Sequence, residues 1–134
     1  MKIGTLKEMF VGEQRVALTP ESALQIQKLG HQCIIEKGAG LAAGFNDAEY
    51  KSAGVTIAPS AAAVTKASDI ITKVRPPTKA EVKRLSKSQT LISFFYPSSN
   101  EELLELVCEN GATVIAMDMV PRISRAQKMD ALSS

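Results

Sequence analysis

Short apolar runs recur along the chain with polar, helix-like stretches between them, and the hydrophobic period changes at each transition. Runs at residues 2–6, 32–36, 55–58, 69–74, 90–95 and 113–117 predict strands. The stretches between them carry helix punctuation. Thr19-Pro20-Glu21 supplies an N-cap, a proline where a backbone N–H would be unpaired anyway, and an acid against the positive end of the helix dipole. Gly30 then supplies the stop. Thr78 and Glu81 are spaced as a capping box, in which each side chain accepts from the other residue's backbone N–H. Ser98 with Glu101, or Ser99 with Glu102, predicts a second box, opening a helix that ends at Asn110-Gly111. Shorter helices are expected over residues 47–52 and 61–66.

Strands that alternate with helices pair in parallel through crossover connections. The expected fold class is therefore α/β: a doubly wound, mainly parallel sheet, Rossmann-like or flavodoxin-like. Such sheets receive ligands beyond the carboxyl ends of their strands, which makes the loops after Leu6, Val74, Phe95 and Met117 the expected ligand edge. The last of these leads into a polar tail, residues 121–134. There Ser124 and Gln127 have capping-box spacing, so a helix is expected from about Arg125. At helical pitch Gln127, Asp130 and Ser134 share a face, with Ser133 at its margin. No Gly, Asn or Pro closes that helix, and the expectation is that residues 1–134 form part of a longer protein.

Composition narrows the function classes. A chain of 134 residues with 45% hydrophobic content suits one domain with its own core. A formal net charge of +2 is too small for a general nucleic-acid binder. The local basic stretch of Lys73, Arg75, Lys79, Lys83, Arg84 and Lys87 reads as a solvated helix face with its connection. With 4% aromatic residues and no Trp, a base-stacking platform is not expected. Cys33 and Cys108 belong to no CxxC pair, which argues against zinc, a redox motif or a disulfide framework and fits a reduced compartment. No metal site is expected. The first eight residues lack the apolar run of a signal peptide, and nowhere do about 18 uncharged apolar residues run together, so this segment is not expected to insert in a membrane.

Gly38-Ala39-Gly40-Leu41-Ala42-Ala43 fits a permissive dinucleotide fingerprint after a predicted strand. A true fingerprint opens its helix at once, so that the helix N-terminus faces pyrophosphate, whereas Gly44-Phe45-Asn46 intervenes here. The acid expected about 20 residues further on is also missing, so the stretch reads as a tight turn. His31, the single histidine, sits in a helix-to-strand turn and reads as a surface or capping residue. Neither cysteine has an activating neighbour in sequence. Arg15 and Lys73 belong on the ligand edge, where either a bound anion or a structural ion pair would explain them. Tyr96 stands at another edge position, where its ring would simply close the core. Arg122, Gln127, Asp130 and Ser133 differ: they offer donors, acceptors and a carboxylate with no nucleophile or titrating base. Such a set can hold a carboxamide and ribose while a cofactor carries the chemistry, and an ordinary capped surface helix is the alternative reading.

Residues 2–4 with Lys7-Glu8, Glu13-Gln14-Arg15-Val16-Ala17-Leu18-Thr19-Pro20, residues 36–40, Ala53-Gly54 and residues 67–74 resemble the N-terminal domain shared by alanine dehydrogenase and nicotinamide nucleotide transhydrogenase. Met117-Asp118-Met119-Val120-Pro121-Arg122-Ile123-Ser124-Arg125-Ala126-Gln127 resembles the signature of the transhydrogenase alpha subunit. Alanine dehydrogenases carry an active-site histidine where this chain has Tyr96, although Arg15 and Lys73 match their substrate-binding arginine and lysine. The resemblance implies hydride transfer between NAD(H) and NADP(H), coupled to proton movement across a membrane. It implies the first of two Rossmann-like halves of an NAD(H)-binding domain, with the true glycine fingerprint in the other half. Arg122, Gln127, Asp130 and Ser133 would then contact the nicotinamide and its ribose, and Gln127 would orient both nicotinamides. Implied partners are an NADP(H)-binding component and membrane components, with homodimerisation through the full NAD(H) domain, on the cytoplasmic side of a bacterial inner membrane. The alternatives are an alanine dehydrogenase-like amino-acid oxidoreductase and a non-enzymatic α/β ligand-binding module.

Overall fold

The computed structural model describes residues 1–96 and 99–118. Each expected strand forms: β1 (Lys2–Thr5), β2 (Gln32–Glu36), β3 (Thr56–Ala58), β4 (Ile70–Thr72), β5 (Thr90–Ser93) and β6 (Thr113–Ala116). Between them lie α1 (Pro20–Lys28), α2 (Asp47–Ser52), α3 (Ala61–Ala67), α4 (Lys79–Lys83) and α5 (Glu101–Asn110). The strands pair in parallel in the order β3-β2-β1-β4-β5-β6, the dinucleotide-binding form of the doubly wound sheet.

Register decides which residues share a face. Gly4 lies opposite Ile34 on one side and Ile71 on the other, and Ile71 lies opposite Leu91. This face packs against Val64 of α3, Val82 of α4, and Leu103 and Val107 of α5. The opposite face presents Cys33 and Ile35 to Ala23 of α1 and Tyr50 of α2. Burial of side chains such as Ile35 and Ile71, both fully covered, contributes about 1.5–3 kcal/mol each. Gly4 is required where β1 meets the end of α3: a Cβ there would run into Ser68 Oγ and come within 2.7 Å of Val64 Cγ1.

The caps follow the sequence with one exception. Thr19 Oγ1 accepts from Ser22 N (3.1 Å) and Ser22 Oγ from Thr19 N (2.9 Å). Thr78 and Glu81 form the expected box, with bonds of 3.1 and 2.7 Å. The boxes expected from Ser98 or Ser99 do not begin α5. Its N-cap is Asn100, which makes no side-chain capping bond because its Nδ2 donates to the Phe95 and Tyr96 carbonyls (2.7 and 3.2 Å).

The crossover helix after β1 covers one face of the sheet and that after β4 the other. The chain therefore diverges between two neighbouring strands, opening a crevice at their carboxyl ends.

Candidate functional site at the strand-order reversal

A cleft of about 590 Å³ occupies that crevice. Met9 and Phe10 enter it from the loop after β1, Lys73 and residues 75–78 from the loop after β4, and Tyr96, Ser99 and Asn100 from the loop after β5. Glu8 fixes its floor. One oxygen accepts from Lys73 Nζ (3.2 Å) and Arg75 N (3.0 Å), the other from Val74 N (2.6 Å). A buried carboxylate thus saturates the backbone donors that leave β4. Lys73 also lies 3.6 Å from Glu81, and its side chain is 2% exposed, so it is not part of a solvated basic face. Burying an ammonium costs several kcal/mol unless it is paired, and two carboxylates supply the pairing.

Glu13 organises the rim. It accepts from Arg15 Nε and Nη2 (both 2.9 Å) and from Arg75 Nε (2.7 Å), and these bonds, that of Arg15 foremost, hold its carboxyl well below the usual carboxylate range. Glu13 raises the Arg15 guanidinium further above its ordinary range. The Arg75 guanidinium carbon lies 4.1 Å from the Phe10 ring centroid and 5.9 Å from that of Tyr96. Tyr96 stacks on Phe94, with centroids 6.1 Å apart and planes 8° from parallel.

Tyr96 does not close the core. Phe95, fully buried, does that, while Tyr96 is 37% exposed. Its φ of 47° is the one left-handed value at a non-glycine among the described residues, a conformation costing about 1–3 kcal/mol. Asp118 holds it there: Oδ1 accepts from Phe95 N (3.0 Å) and Oδ2 from Tyr96 N (2.7 Å).

A switch-point cleft of this make-up suits a flat group that stacks and hydrogen-bonds, and comparison with known proteins gives it a context. Residues 4–134 match the family model described as alanine dehydrogenase/PNT, N-terminal domain. The chain belongs to that family. It is 67% identical over its whole length to NAD(P) transhydrogenase subunit alpha of Cereibacter sphaeroides, covering 26% of that protein. A crystal structure of transhydrogenase from Sinorhizobium meliloti superposes with a TM-score of 0.84 at 37% identity, over 99% of this chain and 40% of that one. An L-alanine dehydrogenase superposes with a TM-score of 0.82 at 36% identity, over 87% of this chain and 32% of that one. The chain thus spans about a quarter of the length of the curated relative.

Within this alanine dehydrogenase/PNT domain, the sequence-predicted groups separate. Arg15 and Lys73 both reach the ligand edge, each already held by carboxylates. Arg122, Gln127, Asp130 and Ser133, with the expected helix from Arg125, lie outside the described residues. Residues 38–44 form a turn around a short 3-10 segment, Leu41–Ala43. Its amides are largely consumed: Gly38 N donates to Asp47 Oδ1 (3.0 Å), Leu41 N to Gly38 O (3.2 Å) and Ala43 N to Gly40 O (3.0 Å). Most of the turn's amides are thus taken before a pyrophosphate could approach. His31 is at the far end of the sheet, with Nδ1 3.3 Å from the terminal amine of Met1. Cys33 is buried and Cys108 exposed, both free, and burial pushes the Cys33 thiol up. Sequence reading did not single out Glu8, Glu13 or Asp118 as site residues. Apart from Arg15, two positions from Glu13, their partners lie 22 to 67 positions away, and no local pattern encodes that pairing.

Proposed function

We propose that this chain is the first half of the NAD(H)-binding component of a proton-translocating transhydrogenase, which passes hydride between NAD(H) and NADP(H). The observation that carries this reading is 67% identity across the whole chain to a protein named NAD(P) transhydrogenase subunit alpha. The aromatic, proline-lined cleft at the strand-order reversal is the surface on this chain that fits a nicotinamide. When bound, the nucleotide supplies the hydride. The protein's share is then orientation and exclusion of water, which requires no nucleophile or general base.

Arg122, Asp130 and Ser133 are assigned to the carboxamide and ribose of NAD(H), and Gln127 to spacing its ring from that of NADP(H). The pyrophosphate and adenosine fall to a second Rossmann-like half, and NADP(H) to a separate component. Proton movement belongs to membrane components, which place this domain on the cytoplasmic face of a bacterial inner membrane. No described helix is long and apolar enough to cross a membrane, in keeping with that peripheral role. A homodimer forms through the complete NAD(H) domain in this reading.

The likeness to L-alanine dehydrogenase favours a second reading, amino-acid oxidation. Against it, the single histidine of this chain is at the opposite end of the sheet from the cleft, so this wall brings no imidazole to exchange a proton with an amino acid. One assay separates the readings. The full-length protein, combined with its NADP(H)-binding component, is expected to reduce NADP+ with NADH and not to reduce NAD+ with alanine. Residues 1–134 alone, offering one wall of the cleft, are expected to do neither. Alanine-dependent NAD+ reduction by the full-length protein would overturn the proposal.

A further inference from the structure

We infer that Tyr96 is a positioning residue for the nicotinamide ring, and that Asp118 and Asn100 hold its backbone in a left-handed conformation so that the phenol side chain walls the cleft. The inference rests on the hydride-transfer reading of the same site. Its first support is conformational. Every other positive φ among the described residues belongs to a glycine, which adopts it freely. A tyrosine in that conformation is retained against a standing energetic cost, and such strain persists only where the surroundings over-determine it.

The surroundings do so here. Asp118 takes the amides of both Phe95 and Tyr96, and Asn100 donates to both carbonyls. Two side chains therefore clamp two successive residues from both sides. Asn100 does this in place of capping α5, so the helix start forgoes a side-chain bond to serve the loop.

The second support is what the ring touches. It is not needed to fill the core, which Phe95 closes. Instead it stacks on Phe94, lies under Arg75 and lines the same cleft as Phe10. The nearby cations are already matched: Lys73 by Glu8 and Glu81, Arg15 and Arg75 by Glu13. What this wall offers a ligand is thus a flat, polarisable surface in place of free positive charge, which suits a planar heteroaromatic ring. The chain runs directly from Asp118 into the segment bearing Arg122 and Gln127. One carboxylate thereby anchors both the tyrosine and the root of that segment.

Backbone strain and ring function are separable by substitution. Tyr96→Gly relieves the strain and removes the ring, whereas Tyr96→Phe keeps both. The variants are compared in the full-length protein by thermal midpoint without nucleotide, by the fluorescence of bound NADH, and by single-turnover hydride transfer with the NADP(H)-binding component. For Tyr96→Gly the midpoint is expected at or above the parent's. Bound NADH should have altered emission, and hydride transfer should fall roughly tenfold or more, the scale of loss when reacting groups are misplaced by less than 1 Å. Tyr96→Phe should match the parent in each. A Tyr96→Gly protein with unchanged NADH emission and a rate within twofold of the parent overturns the inference. So does a midpoint that falls together with the rate, which marks the ring as structural. A parent that binds NADH but transfers no hydride counts against the transhydrogenase reading instead, and the midpoint and emission measurements still decide the role of Tyr96.

Discussion

Glu13 holds two guanidinium groups with one carboxylate, and its side chain is 3% exposed although that of Arg15 is 59% exposed. The bonds from Arg15 and then Arg75 depress its pKa below the ordinary value near 4.5. A carboxylate depressed in the folded state contributes stability that is fully present above its unfolded pKa and is lost as pH falls through the folded one. Glu13→Gln should therefore flatten the acid limb of the stability profile below about pH 4.5. Thermal midpoints between pH 7 and 3 provide the test, and equal slopes in both proteins would refute the role given to Glu13. Tyr50 behaves oppositely: burial, with Glu49 and Asp47 adding to it, pushes its phenol up to about 12. It therefore stays protonated near neutral pH and donates to the Leu18 carbonyl at 2.6 Å.

That phenol explains the glycine-rich turn at the scale of elements. A Cβ on Gly40 would come within 2.5 Å of Tyr50 Cε2 and Oη, so the glycine serves packing between the turn and α2. Gly40→Ala should destabilise by about 1–3 kcal/mol, the usual cost of overpacking a filled site. Urea unfolding measures this directly, and a midpoint equal to the parent's would return Gly40 to the role of a ligand-approach glycine. The same turn marks how far sequence carries. Strands buried on both faces read as apolar runs because the side-chain pattern is the packing itself; α1 announced its cap through Thr19-Pro20-Glu21 and α4 through Thr78 and Glu81, three residues apart. The start of α5 did not, because Asn100 is diverted by a loop that only tertiary structure brings to it. Lys73 was legible as an edge residue, yet its burial depends on Glu8, 65 positions away. Tyr96 was legible by position but not by conformation, since nothing local to it shows that Asp118 will take its amide.

At the scale of the whole molecule, the strand order fixes one cleft between β1 and β4, and the chain leaves β6 on that same carboxyl edge. Met117, 47% exposed, and Asp118 are its last described residues there. The segment that follows in sequence bears Arg122, Gln127, Asp130 and Ser133. In the proposed reaction two nicotinamides must approach closely, and a side chain that spaces them acts on the rate more than on either affinity. Gln127→Asn shortens that spacer by one methylene, and misplacement of roughly 1 Å can cost about a hundredfold. The full-length variant should therefore bind NADH within a few-fold of the parent while hydride transfer falls steeply. Asp130→Asn should divide the other way. Replacing an acceptor-only carboxylate with an amide leaves a ribose or carboxamide donor unpaired, weakening NADH binding by about 1–3 kcal/mol with a smaller effect on the rate once saturated. Stopped-flow hydride transfer beside equilibrium NADH titration resolves the two. A Gln127→Asn protein whose single-turnover rate stays within twofold of the parent would remove this segment from the hydride-transfer site and leave the cleft to be explained by another ligand.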